Sequence, residues 1–430
     1  MKTTISLASL CLSFFASAAF AADVSVKGRL DETVDASNNY FLSNSPSGHT
    51  IKLLNSLNLN ALAATPTTRY SLDTNASYYN YYGPGAADTP VTWGIPLDAK
   101  FNVDHTDKLS KYNFVTSWQR ADVATTALAQ TGTFIGRGTI NTYNVGGGVT
   151  RDLNRLDSIS LSTRETTASY SDPNQTPYRD YAITGAWNHR LTATTTLTQS
   201  LNVDWFIAEN FANSQRLFWN PMTGLQTQLS SRLSFNGSVG MAFVNAWQNG
   251  TVQSTVPTAN TLFQPTAGTS NGWTGNTALN YKLLKTTHVS FTATHSITPT
   301  VFGQLQKIDS VGLTLNHDIS RSANLALLTQ FSHLTIAATA ATPAATSDFF
   351  TASARYGYKL TRDWRSSLAY TYRQGNSQTG LVRASTISFV LTRDFTVYGK
   401  PPPEVKKTST EEAQEVLQRA EQALPTLAPY

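Results

Sequence analysis

Residues 181–206, YAITGAWNHRLTATTTLTQSLNVDWF, alternate between apolar and polar side chains twice, on either side of a short polar HRLTAT. In the first run Tyr181, Ile183, Gly185, Trp187, His189 and Leu191 share one face, and Ala182, Thr184, Ala186, Asn188 and Arg190 share the other. In the second, Leu197, Gln199, Leu201, Val203 and Trp205 oppose Thr198, Ser200, Asn202 and Asp204. A period of two marks a strand, because successive side chains leave a pleated backbone on opposite faces. The stretch predicts an antiparallel hairpin with one apolar and one polar wall.

The polar turn of that hairpin recurs along the chain. TRDLNRLDSISL (150–161), NHRLTATTTLTQ (188–199), NYKLLKTTHVSF (280–291), NHDISRSANLAL (316–327) and GYKLTRDWRSSL (357–368) share its plan, with a weaker version at 228–239. The anchors Leu153, Leu191, Leu229, Leu283, Ile319 and Leu360 are spaced 38, 38, 54, 36 and 41 residues apart. Two strands of about ten residues, one tight turn and one longer loop fill such a unit. The gap of 54 contains a Thr/Ser/Asn/Pro-rich insertion near 248–270. Extended to both ends, the series predicts 18 strands running from 24–35 to 383–396, the fourth at 92–104. Sixteen is the alternative, because the first and fourth are poorly patterned.

The expected fold is all-β, a closed antiparallel transmembrane barrel of 16–18 strands, 18 preferred. In a soluble sandwich the outer faces carry many charges. Here charged residues make up only 14% of the chain, and the polar faces are mostly Thr, Ser, Asn and Gly. Short turns on one side and long loops on the other are the layout of an outer-membrane barrel. Trp93, Trp118, Trp205, Trp219, Trp247 and Trp273 fall near long-loop ends and Trp187 and Trp364 near short turns, as two aromatic girdles require.

The two ends of the chain read differently. Residues 1–21 combine Lys2, an apolar core and Ala19-Phe20-Ala21, the pattern of a secretory signal peptide. That stretch contains Cys11, the only cysteine. The barrel is assigned to 22–400, in the bacterial outer membrane with short turns periplasmic. Residues 401–430 form a Pro-rich tail with five Glu against two Lys and one Arg. Ser409 and Glu412 form a capping box, and Ala413, Val416, Leu417, Ala420 and Leu424 make a helical stripe, so a short periplasmic helix that docks on a partner or plugs the barrel is one expectation and a mostly disordered extension the other.

The last strand, ASTISFVLTRDFTVY, carries a resemblance. Ile387, Phe389, Leu391 and Phe395 look like the C-terminal targeting strand of bacterial outer-membrane barrels. With the repeated hairpins, residues 22–400 resemble the outer-membrane β-barrel porin families, the nearest being barrels that accompany exopolysaccharide or exosortase systems. The resemblance implies a channel, with a polysaccharide-export outlet, a surface enzyme or a plugged structural barrel as alternatives.

Strand phase assigns Lys27, Arg29, Lys52, Lys100, Arg164, Arg190, Lys282, Arg355, Lys359 and Arg373 to the interior, with Asp31, Asp73, Asp104, Asp204 and Asp318. The pore-lining candidates are Lys27, Arg29, Lys52, Lys100, Arg190, Arg355 and Arg373. A cationic lining favours anionic solutes, whereas mutual pairing would leave a generic wet interior. The net charge of +5 is scattered and lacks a basic run interleaved with aromatics, so nucleic acid is not an expected partner. Membrane lipid and a hydrophilic solute or polysaccharide are.

No catalytic residue, cofactor or metal is expected, and the chain reads as no enzyme. His189, His295 and His317 fall on the lipid phase, and His105 and His288 beside short turns. His49 and His333, near outer loops, are the plausible bases if there is an enzyme. Gly146, Gly147 and Gly148 lie inside a strand and mark close backbone packing rather than a phosphate loop.

Overall fold

The computed structural model describes residues 23–89, 91–123, 138–173, 175–209, 214–248, 268–299, 305–336, 345–377 and 380–399. The signal-peptide assignment, most of the 248–270 insertion and the 401–430 tail lie outside the described residues. The strands are β1 (Asp23–Ser37), β2 (Thr50–Ala64), β3 (Thr68–Tyr82), β4 (Trp93–Gly94), β5 (Leu97–Thr106), β6 (Ser110–Asp122), β7 (Thr139–Asp152), β8 (Asp157–Tyr170), β9 (Tyr178–Arg190) and β10 (Thr195–Ala208). They continue with β11 (Ser214–Gln228), β12 (Leu233–Gln248), β13 (Gly268–Leu284), β14 (Thr287–Pro299), β15 (Leu305–Asp318), β16 (Ala323–Ile336), β17 (Ala345–Lys359), β18 (Trp364–Ser377) and β19 (Gly380–Tyr398).

Sequence neighbours pair antiparallel throughout, and β19 returns to β1 with Ala36 opposite Ile387 and Arg29 opposite Asp394. Since β4 is a two-residue fragment on the edge of β3, the wall is a closed barrel of 18 full strands. Closure leaves no strand edge with unpaired backbone groups, the condition for a sheet in lipid.

The weak fourth strand has a local cause. Pro96 has no N–H to give to the ladder, although its carbonyl accepts from the Ser77 N–H (3.0 Å), so the predicted 92–104 strand breaks between β4 and β5. The weak first strand has two. Glu32 shares the outward phase with Leu30 and Val34, and Gly28 lies beneath the Phe395 ring, where a Cβ would come within 2.2 Å of it. Only glycine admits that ring against β1. Several strands also run further toward the long loops than the apolar alternation does. β8 reaches Tyr170 rather than residue 166, and β15 starts at Leu305 rather than 309. The hydrogen-bond ladder does not need apolar side chains, so it continues after the outer face has turned polar.

Paired residues share a face, and the register builds an apolar outer wall. Val203 lies between Ile183 and Trp219, and Val311 between Ala293 and Phe331. Leu201, Ile183, Leu313, Leu327, Leu368, Ile387 and Phe389 are all exposed on this wall. A soluble barrel would not leave so much large apolar surface uncovered.

The wall makes an energetic prediction. Leu201→Arg should cost about 2–4 kcal/mol, the scale for a charge near the midplane of an outer-membrane barrel. Ser200→Arg, one residue away on the opposite face, should cost much less. Urea unfolding in lipid vesicles measures both, and equal costs would contradict the assignment of faces.

Candidate functional site: the charged lumen

One side chain identifies the concave face. Tyr40, in the segment between β1 and β2, accepts a hydrogen bond on its hydroxyl from Lys52 Nζ (3.1 Å) and on its carbonyl from Arg373 Nη2 (3.1 Å). Its ring packs on Tyr81 with centroids 5.3 Å apart. Lys52 lies on β2, Tyr81 on β3 and Arg373 on β18, so this contact spans five successive full strands. Only the inside of a curved wall brings such distant strands within reach of one residue. The polar phase therefore faces the lumen.

The segment holding Tyr40 is folded inward at the long-loop end. Phe41 is buried against Tyr40 and Tyr81 in edge-to-face contacts. Asn39 clamps Ser43 twice, accepting from its N–H and donating to its carbonyl, each at 2.8 Å. Lys52 Nζ lies 5.5–5.8 Å from the rings of Tyr40, Tyr79 and Tyr81, within cation–π range. The strand pattern gave no sign of this inward fold; the available signal was an aromatic pair, Tyr40-Phe41, in a polar loop.

Register puts every expected lining cation on the lumen phase, but their surroundings differ. Lys100 faces Asp73 across β3 and β5, and Arg69 faces Asp104. Arg164 pairs with Asp180 (3.2 Å), close to Asp204 and Asn202 on β10. Charge on that side is largely compensated. Arg190 lines a cleft at the short-turn end with Asp152 and Arg155, Lys282 stands opposite His288, and Lys27 opposite Asn60.

The β17-to-β1 wall is different. Arg355 and Lys359 of β17, Arg365 and Arg373 of β18 and Arg29 of β1 share one stretch of lumen. Asp394 takes hydrogen bonds from Arg29 Nε (2.9 Å) and Arg365 Nη2. Arg355 and Lys359 form no ion pair among the described residues. Positive charge thus accumulates along one wall instead of forming a uniform lining.

The histidines divide as their phase predicts. His189 meets Asp157 (2.8 Å), which also accepts from Trp187 Nε1 (3.1 Å), on the outer face near the short turns. His317 and His105 meet Thr287 and Thr68, each at 2.8 Å. His49 is exposed on the inward segment, where its carbonyl accepts from the Gly85 N–H (3.1 Å). An outward row runs near the long-loop end: His295 bonds Asp309 beneath the stacked Trp273, and His333 bonds Asp348 (2.6 Å).

Thr335 Oγ1 lies 3.3 Å from His333 Nε2, which puts hydroxyl, imidazole and carboxylate in the order of a hydrolytic triad. Thr335 is paired on both sides, opposite Lys307 and Thr346, so its amide is committed to the sheet and unavailable as an oxyanion donor. No three His, Asp or Glu among the described residues converge as a metal site would need. Gly148 sits in the ladder against Leu161 and Asn113, too crowded for a Cβ and not a phosphate loop.

No family model and no curated protein matches this chain. Solved structures do. A BenF-like porin from Pseudomonas fluorescens Pf-5 is 10% identical, with 87% of this chain and 99% of that one covered and a TM-score of 0.49. OccAB2 of Acinetobacter baumannii and OccK2 (OpdF) of Pseudomonas aeruginosa are each 10% identical over 87% of this chain and 98% of theirs, with TM-scores of 0.46. Exopolysaccharide-associated barrels do not feature among these named similarities.

The inward segment is open to a local test. Arg373→Gln together with Lys52→Met removes both hydrogen bonds to Tyr40 and the cation–π contacts, each on the order of 1 kcal/mol. Amide exchange of residues 38–43 should accelerate at least about tenfold, while β10 and β16 keep their protection. Unchanged exchange in the segment would show that these cations do not hold it.

Proposed function

We propose that this protein is an outer-membrane channel for passive passage of hydrophilic solutes, with a preference for anions. The observation that carries the reading is a closed 18-strand wall whose lumen face is polar and bears Arg355 and Lys359, which have no ion partner among the described residues. Barrels of about 16–18 strands are wide enough to leave an aqueous channel rather than a packed core. Arg355 and Lys359 supply most of the positive potential along the path, Arg29 and Lys100 adding less because Asp394 and Asp73 face them, and the inward 38–43 segment narrows it near the long loops. Location in the outer membrane, with short turns toward the periplasm, is part of the same proposal and rests on the apolar outer wall. Among the described residues, an enzyme reading has the Thr335–His333–Asp348 arrangement alone in its favour.

Planar-bilayer recording of the purified protein tests the reading. Step currents with anion preference are expected. Charge selectivity should weaken with salt, because the Debye length falls from about 10 Å at 0.1 M to about 3 Å at 1 M. Replacing Arg29, Lys100 and Arg355 by Glu should move the reversal potential in a salt gradient toward cation preference. Absence of step currents, including after removal of residues 401–430, would contradict the channel.

A further inference from the structure

The cationic wall ends in a cleft at the short-turn mouth, lined by Arg29, Arg321, Arg355, Lys359 and Arg365. Three carboxylates lie within reach: Asp318 in the cleft, Asp394 on β19, shared between Arg29 and Arg365, and Asp31 on β1, which accepts from the lining Thr392 (2.6 Å), so five cations face three acids. Lys359 and Arg365 are direct cross-strand partners, a placement in which like charges repel. Arg29 and Arg365 keep 50% and 43% of their side-chain surface exposed even while bonded to Asp394. Such a cluster is suited to an anionic occupant.

β19 runs between β18, which carries Arg365, and β1, which carries Arg29, and it finishes at this mouth with Tyr398 opposite Val26. Gly399 follows with φ +74, pressed so closely on β1 that a Cβ would meet the Val24 carbonyl oxygen. The chain therefore leaves the sheet at the short-turn end, five residues past Asp394, about 17 Å along the strand from the cluster. The sequence beyond is KPPPEVKKTSTEEAQEVLQRAEQ, with Glu404, Glu411, Glu412, Glu415 and Glu421. At helical spacing Glu411 and Glu415 are an i, i+4 pair beside Glu412, and such like-charge pairs destabilise an isolated helix. An opposing cationic surface removes that repulsion. The twelve residues from Gly399 to Glu411 can span at most about 40 Å, ample for a return to the mouth.

We propose that the acidic segment around Glu411–Glu415 docks intramolecularly on the Arg321/Lys359/Arg365 cluster. The docking is electrostatic and therefore salt-sensitive. The contact is tested without any current, so its outcome is independent of the channel reading.

Cys11 is the only native cysteine, so introduced pairs in a Cys11→Ser background give clean cross-links. Full-length Ser322→Cys/Gln414→Cys protein in vesicles should form an intramolecular disulfide at least about tenfold faster than Asn154→Cys/Gln414→Cys, whose first cysteine lies on a distant short turn. That advantage should vanish in 1 M salt and on replacing Glu411, Glu412 and Glu415 by Lys. Adding Arg321→Glu and Lys359→Glu to the Lys-bearing tail should restore it, and the heat-shift of the folded barrel on gels confirms that each variant folds. Equal rates at the two turns, indifference to charge reversal, or disulfides only between chains would overturn the proposal. If the protein does not conduct while the cross-link forms, the channel reading fails and the docking stands.

Discussion

Every backbone amide and carbonyl on this wall must be satisfied by the strand beside it, because an apolar surrounding supplies no partner. The pairing of β19 with β1 is the contact that makes this possible for all the others. Without it two strands would present open edges. The seam is reinforced on its polar side: Thr392 donates to Asp31 (2.6 Å), Thr386 to Ser37 (3.0 Å), and Arg29 to Asp394. On its apolar side Phe395 covers Gly28.

Once closure fixes the register, strand phase fixes which environment each side chain meets. The outer positions need only be apolar and the inner ones polar, so both faces are free to vary in detail. That freedom lets one stretch of lumen, from β17 to β1, collect arginines and lysines while the β3–β5 stretch sets Asp73 and Asp104 opposite Lys100 and Arg69. It also lets the 38–43 segment use Lys52 and Arg373 as attachment points inside the barrel. A few charged positions and one folded segment thus give the lumen its individual character on an otherwise repetitive wall.

Much of this was legible in the sequence, for a physical reason. Period-two alternation depends only on neighbouring residues, so Leu201 and Ser200 could be sent to opposite faces without knowing the fold, and Arg355 and Lys100 could be sent inward. Parity says nothing about which residues meet across strands. The partnership of Arg29 with Asp394, 365 positions apart, exists only because the barrel closes. The break at Pro96 was visible as weak patterning, yet its place in an otherwise continuous wall required the ladder on β3. Tyr40 was hidden because loop residues carry no periodicity, and the concentration of charge on one wall because parity does not locate strands around a circle.

The central claim is that alternate residues of one strand meet lipid and water. Spin labels placed singly at residues 197–205 in lipid vesicles test it most directly, read by collision with oxygen, which concentrates in lipid, and with a water-soluble nickel chelate. The account predicts strict alternation, with 197, 199, 201, 203 and 205 open to oxygen and 198, 200, 202 and 204 open to nickel. A uniform profile, or the same alternation with its two phases exchanged, would contradict it.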